Sequence, residues 1–335
     1  MNGSPPAVEE TVEPENTRLA SVSMDLDNLW SYMKIRGDKS WVDRPSYLDV
    51  VTPFMLDFLE KVGIKITFFI VGADAADSRN GPALRSLTTA GHEVGNHSFE
   101  HEPWLHLYSP EKLQNEIRLA GAAIAEATGV TPRGFRGPGF SWSPTLLEIL
   151  EDDGYQYDAS TLPSYLGPLA RRYYFWTAKD LTDEEREQRK ELFGRFSDGL
   201  RPVRPYYWRL PGGKQLLEIP VTTIPVLKTP FHFSYLAYLS RISERLMFAY
   251  LDVALAACRA TRTEPSFLLH PLDVVGADIA PQLAFFPGMD IPSERKAQLL
   301  ARVLKRIAGH FALVPMGPHA AAHVRRGQLT IREVG

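Results

Sequence analysis

The chain has a single cysteine, Cys258, among 335 residues. No disulfide can form within it, which suits a reducing compartment. Cys258 sits in the apolar helical pattern Leu251–Ala260 and reads as a core filler. No run approaches the roughly eighteen apolar residues that a membrane span requires. Charge of one sign is also missing: 37 Lys and Arg stand against 40 Asp and Glu, so there is no electrostatic footprint for nucleic acid. Neither a Gly-x-Gly-x-x-Gly turn nor a phosphate loop occurs, which removes the nucleotide-binding versions of an α/β fold. The stretch Met1–Asn16 is polar, acidic and proline-bearing, without the basic start and apolar centre of a secretion signal. Residues 1–17 therefore read as a disordered tail. The expected location is the cytoplasm, with the inner membrane surface as a second place of work.

What is present is alternation. Strand-like runs at Leu19–Met24, Ile64–Val71, His92–Asn96, Arg133–Arg136, Tyr155–Asp158, Leu216–Thr222, Ser266–His270 and Phe311–Pro315 are interleaved with helical patterns. The helices are expected at Tyr47–Val62, Pro82–Thr89, from Ser109-Pro110 to a stop at Gly129, from Ser143-Pro144 through Leu150, and near Ser243–Arg259 and Ser293–Ala308. Repeated βα units imply a parallel sheet, and this many of them suggest a closed (β/α) barrel, with an open doubly wound sheet as the alternative. Residues 18–335 read as one domain. Its alternation breaks over about 161–214, where Tyr, Phe and Trp are interleaved with Arg and Pro. That aromatic-rich insertion either covers or extends the substrate site, or packs on the surface.

Four strand ends carry chemistry. Asp25 and Asp27, two apart, point to one face, and two carboxylates there are costly to bury without a cation. One can ligate a metal while the other stays free as a base. His97 and His101, four apart, share a face if their segment is one helical turn, a spacing suited to a single ion. Asp27, His97 and His101 would supply three ligands and leave positions open for water and substrate. This set fits Zn²⁺, and Co²⁺, Ni²⁺, Mn²⁺ or Fe²⁺ are compatible. Arg136, in a Gly/Pro-rich turn, could hold Asp25 ionised and aimed. His270 could protonate a leaving amine, with Asp158 or Asp273 orienting it. His92, His106 and His232 have no such partners and read as structural or surface residues.

The ordered set SMDLDN, HSFEH, RGPG and LLHPLD, running from about Arg18 to Pro315, resembles the polysaccharide deacetylase (NodB-homology, carbohydrate esterase family 4) superfamily. Its Asp-x-Asp form looks like the branch containing lipid-linked aminoarabinose deformylases. The resemblance implies a distorted (β/α) barrel of about seven strands. It implies Asp25 as general base, Asp27, His97 and His101 as metal ligands, Arg136 as the residue that positions Asp25, and His270 as general acid. The family's Asp-near-Trp motif has no clear counterpart, and Asp158 is its nearest candidate. The expected function is metal-dependent removal of an N-acyl group from an amino sugar, in a glycolipid or other intracellular glycan precursor. Val221–Leu239 and the amphipathic Leu246–Ala257 offer surface for lipid, or else pack in the core or a dimer interface. A hydrolase of small amides or ureides, and a non-catalytic binding protein on the same fold, are the competing readings.

Overall fold

The computed structural model describes residues 18–167 and 196–334. The tail 1–17 and the middle of the insertion lie outside the described residues. The strands are β1 (Leu19–Leu26), β2 (Thr67–Ile70), β3 (Glu93–Asn96), β4 (Gly134–Phe135), β5 (Tyr157–Asp158), β6 (Tyr206–Arg209), β7 (Gln215–Glu218), β8 (Ser266–Leu269), β9 (Ala312–Val314) and β10 (Thr330–Glu333). They form one sheet in the order β10-β6-β7-β5-β4-β3-β2-β1-β8, with β9 also on β1. The run from β7 through β5, β4, β3, β2 and β1 to β8 is parallel throughout. Those seven strands match the expected count.

The fold is thus α/β with a mostly parallel sheet. Among the described residues no ladder joins the two ends of the parallel run, β7 and β8. Instead the segment after β7 touches β8, where Thr222 N–H donates to the Ser266 carbonyl at 3.0 Å. Ser266 N–H returns a bond to Thr222 Oγ1 at 2.8 Å.

Helices α1 (Leu29–Arg36), α2 (Leu48–Val62), α3 (Gly72–Ala76), α4 (Gly81–Thr89), α5 (Pro110–Thr128), α6 (Pro144–Asp152), α7 (Phe233–Ser240), α8 (Glu244–Ala260), α9 (Ser293–Ala308) and α10 (Met316–Arg326) connect and flank the strands. Their ends follow local chemistry. Ser109 Oγ accepts from Lys112 N–H at the start of α5, and Gly129 ends it in the left-handed region at φ 77°. Ser143 and Ser243 cap α6 and α8 in the same way.

Strand pairing separates the two faces. Asp25 pairs with Phe69, and Phe69 with Gly95, so all three look to the same side. A Cβ on Gly95 would stand 2.5 Å from the Phe69 ring, so this position needs glycine. Phe69 packs with Tyr157, Leu217 and Met316 in an inner cluster. Phe68 faces the other way, into the large core shared with Val51, Leu84, Leu251 and Leu300. The start of α10 sits at the N-terminal ends of the strands: Met316 N–H donates to Thr67 Oγ1 and Gly317 N–H to Glu93 Oε2, both at 2.8 Å.

Within the insertion, Tyr206–Arg209 is strand β6, antiparallel to β7. Tyr206 and Trp208 turn inward while Arg209 stays exposed, a period-two pattern short enough to miss in a Pro/Arg-rich context. The earlier part does reach the site, because Asp198 and Arg201 line its cavity. Val221–Leu239 is mainly core: Val221, Ile224, Phe231, Phe233 and Leu236 are buried, whereas Val226 and Tyr238 are exposed.

Candidate metal centre and active site

The parallel strands deliver their C-terminal ends to one cavity of 640 Å³ that contains Asp25, Asp27, His97, His101 and His270. Asp25 is the next-to-last residue of β1. Asp27 follows through a tight turn in which its N–H donates to the Asp25 carbonyl at 2.9 Å. Asn28 then caps α1, and Tyr47 Oη donates to the Asp27 carbonyl at 2.6 Å, fixing the turn from outside.

His97 leaves β3 directly, but the segment after it is not a helical turn. Ser98 and His101 both adopt left-handed backbone, at φ 61° and 52°. The loop is held open by Glu116, whose Oε2 accepts from the Phe99 and Glu100 N–H groups at 2.9 and 3.0 Å. The two imidazoles converge nonetheless, with ring centroids 5.0 Å apart.

The donor set fits a divalent cation. One ligand atom from each of Asp27, His97 and His101 lies within 4.8 Å of the other two. Asp27 Oδ1 is buried without a hydrogen-bond partner. It stands 2.9 Å from His101 Nε2 and 3.6 Å from His97 Nε2, and the near approach of His101 is not aligned as a hydrogen bond. The three atoms are thus close enough together to share one ion. The Nδ1 of His97 lies 2.6 Å from the Arg136 carbonyl, which fixes the ring with its proton there and leaves the Nε2 lone pair toward the cluster. Burial alone would raise the Asp27 pKa, but His101 and His97 hold it well below the usual carboxylate range.

Arg136 is completely buried and follows β4. Its Nη1 donates to Asp25 Oδ1 at 2.7 Å and to Ser23 Oγ at 2.9 Å, and its Nε donates to the Ala159 carbonyl at 3.1 Å. Its guanidinium also lies 4.3 Å from the centre of the Phe69 ring. This leaves Asp25 Oδ2 facing the cavity, 4.0 Å from both His97 Nε2 and His270 Nε2.

His270 directly follows β8, and its partner is Asp273, not Asp158. His270 N–H donates to Asp273 Oδ2 at 2.8 Å, and the ring Nδ1 lies 3.8 Å from the same oxygen, an ion-pair contact rather than a hydrogen bond. Ser234 Oγ donates to Asp273 Oδ1 at 2.7 Å. Burial disfavours a charged His270, but Asp273, Asp25 and Asp27 outweigh it and push its pKa up to about 9. Asp158 instead lies beside Glu218, deep in the sheet, and burial raises both carboxyls.

One residue set aside on sequence grounds belongs to this cavity. His232, on the loop that opens α7, lines its wall with a buried Nδ1 that has no partner. Burial and His270 push its pKa down to about 4, so it is a neutral imidazole. Tyr235 and Tyr238 of α7, Trp142, Leu162 and Phe286 make the rest of the wall largely apolar. His92 and His106 lie away from it: His92 Nδ1 accepts from Ile66 N–H at 3.1 Å, and His106 contacts Ser141. Only tertiary structure brings His232 in, since its sequence neighbours carry no motif.

Residues 40–157 match the family model for polysaccharide deacetylases. That stretch includes His97, His101 and Arg136, while Asp25, Asp27 and His270 flank it. A Bacillus cereus peptidoglycan-N-acetylglucosamine deacetylase is 34% identical over 109 residues, 31% of this chain and 47% of its own. A Bradyrhizobium chitooligosaccharide deacetylase is 36% identical over 98 residues, covering 29% and 43% of the two chains. The matches thus span less than half the length of these relatives. Among solved structures, a Mycobacterium smegmatis protein assigned to the polysaccharide deacetylases superposes with a TM-score of 0.59 at 19% identity, covering 96% of this chain and 95% of its own. It supports the fold.

Proposed function

We propose that this chain, whose residues 40–157 match the polysaccharide deacetylase family model, hydrolyses the N-acyl amide of an amino-sugar residue, using a divalent cation held by Asp27, His97 and His101. The observation that carries this reading is that Asp25 Oδ2 lies 4.0 Å from both His270 Nε2 and the His97 Nε2 of that donor set. When bound, the cation would polarise the amide carbonyl and supply a water acidic enough to lose its proton near neutral pH. Zinc suits two imidazoles and a carboxylate best.

Asp25 is the general base. Arg136 occupies its Oδ1, so Oδ2 receives the proton of the attacking water. His270 is the general acid. It stays charged at neutral pH because of its carboxylate neighbours, and it gives its Nε2 proton to the departing amine. Asp273 positions His270, and Ser234 positions Asp273. The products are a carboxylate such as acetate or formate and a free amino sugar.

The finer substrate is a glycan precursor that carries an apolar group, met at the cytoplasmic membrane surface. Tyr235, Leu162, Phe286 and the exposed Tyr238 in the wall, and the exposed Ile242 two residues after α7, support that choice. Among the described residues no helix is long and apolar enough to cross a membrane, so the contact would be peripheral. The test compares release of acetate or formate from soluble N-acylhexosamine oligomers with release from their lipid-linked counterparts in vesicles. Preference for the vesicle-bound substrate supports the finer reading. Equal or better turnover of the soluble oligomers removes the lipid and leaves the deacylase.

A further inference from the structure

A second group of metal-type donors lies at the opposite end of the strands. His319 and His323 are four apart on α10 and so share one helix face. That face meets Glu264, two residues before β8. His323 Nε2 is 3.0 Å from Glu264 Oε2, His319 Nε2 is 3.6 Å from it, and the two Nε2 atoms are 3.1 Å apart. Donor atoms at about 2.0–2.1 Å around a tetrahedral ion stand roughly 3.3 Å from each other, and these separations bracket that value. His319 is fully buried and Glu264 nearly so.

Hydrogen bonding makes competing demands on this group. His319 Nδ1 is engaged with Ser21 Oγ at 2.8 Å. With the His319 proton there, its Nε2 is an acceptor, and one N–H on His323 must serve both that nitrogen and the Glu264 oxygen. Charging both rings would set like charges 3.1 Å apart, next to Arg326. A cation would meet all three lone pairs at once. The supporting contacts also resemble those around a ligand carboxylate: Leu19 N–H donates to Glu264 Oε1 at 2.8 Å and Arg326 Nη1 to Oε2 at 2.6 Å.

We propose that Glu264, His319 and His323 form a second site for a divalent transition-metal cation, zinc by its donor chemistry, which fastens α10 to the N-terminal ends of β1 and β8. It is separate from the cavity, because Ser21 and Asp25 lie four residues apart on β1, about 13 Å along a strand. Arg326 sits on the same oxygen that would bind the ion, so this site is the weaker of the two. Its role is structural, and it stands whether or not the chain is a deacetylase.

The experiment strips the full chain with a chelator, titrates it with zinc, and reads bound metal by mass spectrometry together with the thermal midpoint. Wild type should take up two equivalents. His323→Ala and Asp27→Ala should each retain one, and the double variant none. In Asp27→Ala the remaining equivalent should still raise the midpoint. Should His323→Ala fold poorly, His323→Gln, which keeps a polar group of similar reach, takes its place. Cobalt substitution of wild type should show a second set of visible bands that survives Asp27→Ala. One equivalent in wild type, abolished by Asp27→Ala, with a midpoint in that variant indifferent to zinc and no cobalt bands, would overturn the proposal and leave a hydrogen-bonded clasp.

Discussion

Replacing Asp273 with Asn should move the alkaline limb of the activity profile to lower pH. The general-acid role needs His270 charged, and three carboxylates keep it so against burial, raising its pKa to about 9. Asp273 is the one that touches it, 3.8 Å from Nδ1. At that separation and an effective dielectric of about 20 the ion pair is worth about 4 kcal/mol, or about three pKa units. The His270 side chain keeps 28% of its surface open to the cavity, and screening there cuts the shift to about one or two units. The sign follows from the role: the acid is lost as pH rises through its pKa, so a lower pKa brings the loss to lower pH. Asn preserves much of the geometry, since its amide can still meet the His270 N–H and Ser234. The assay is kcat/KM for deacylation from pH 5.5 to 10, wild type against variant. The expected result is near-equal rates at the acid end and an alkaline limb displaced by about one or two units. An unmoved limb, with rates depressed equally at every pH, would refute the assignment of His270 as the acid tuned by Asp273.

Arg136→Lys keeps the charge but cannot reach Ser23, Asp25 and the Ala159 carbonyl together. We expect kcat to fall about 10- to 100-fold with little change in KM, read by steady-state kinetics. Gly95→Ala would drive a methyl group into the Phe69 ring, and chemical denaturation should show a loss of about 1–3 kcal/mol. His92 is buried, and burial with Lys65 nearby pushes its pKa down to about 4 from 6.5. The unfolded chain binds that proton first, so stability falls as pH drops from 6.5 toward 4. His92→Gln should flatten that part of the stability profile, measured by melts across the range.

The legible parts of the fold were those with strong local signals. Ser109-Pro110 and Gly129 bracket α5, Ser143-Pro144 opens α6, and the apolar run around Phe68 and Phe69 marks β2. The catalytic candidates were legible because they sit at strand ends in a fixed order. What escaped has physical reasons. Leu29, Trp30, Ser31, Tyr32 and Met33 of α1 are all buried, so the helix shows no polar stripe to set its period. The pairing of His97 with His101 was anticipated for a reason that does not hold: two left-handed residues, not a helical turn, bring the rings together. Asp158 could not be separated from Asp273 by sequence, since only the tertiary fold sends one to Glu218 and the other to His270. His232 carries no local signal at all.

The most direct test of the central claim measures acyl release and metal content together. Zinc-loaded wild type and Asp25→Asn are incubated with N-acetylglucosamine oligomers and with lipid-linked N-acylamino sugars, and acetate, formate and free amine are quantified. The account predicts equal amounts of acid and amine from wild type on one of these substrates. It predicts that Asp25→Asn retains its metal but loses about 100-fold or more in rate. Wild type that holds metal yet releases no acid from either class, or an Asp25→Asn variant that works as fast as wild type, would contradict it.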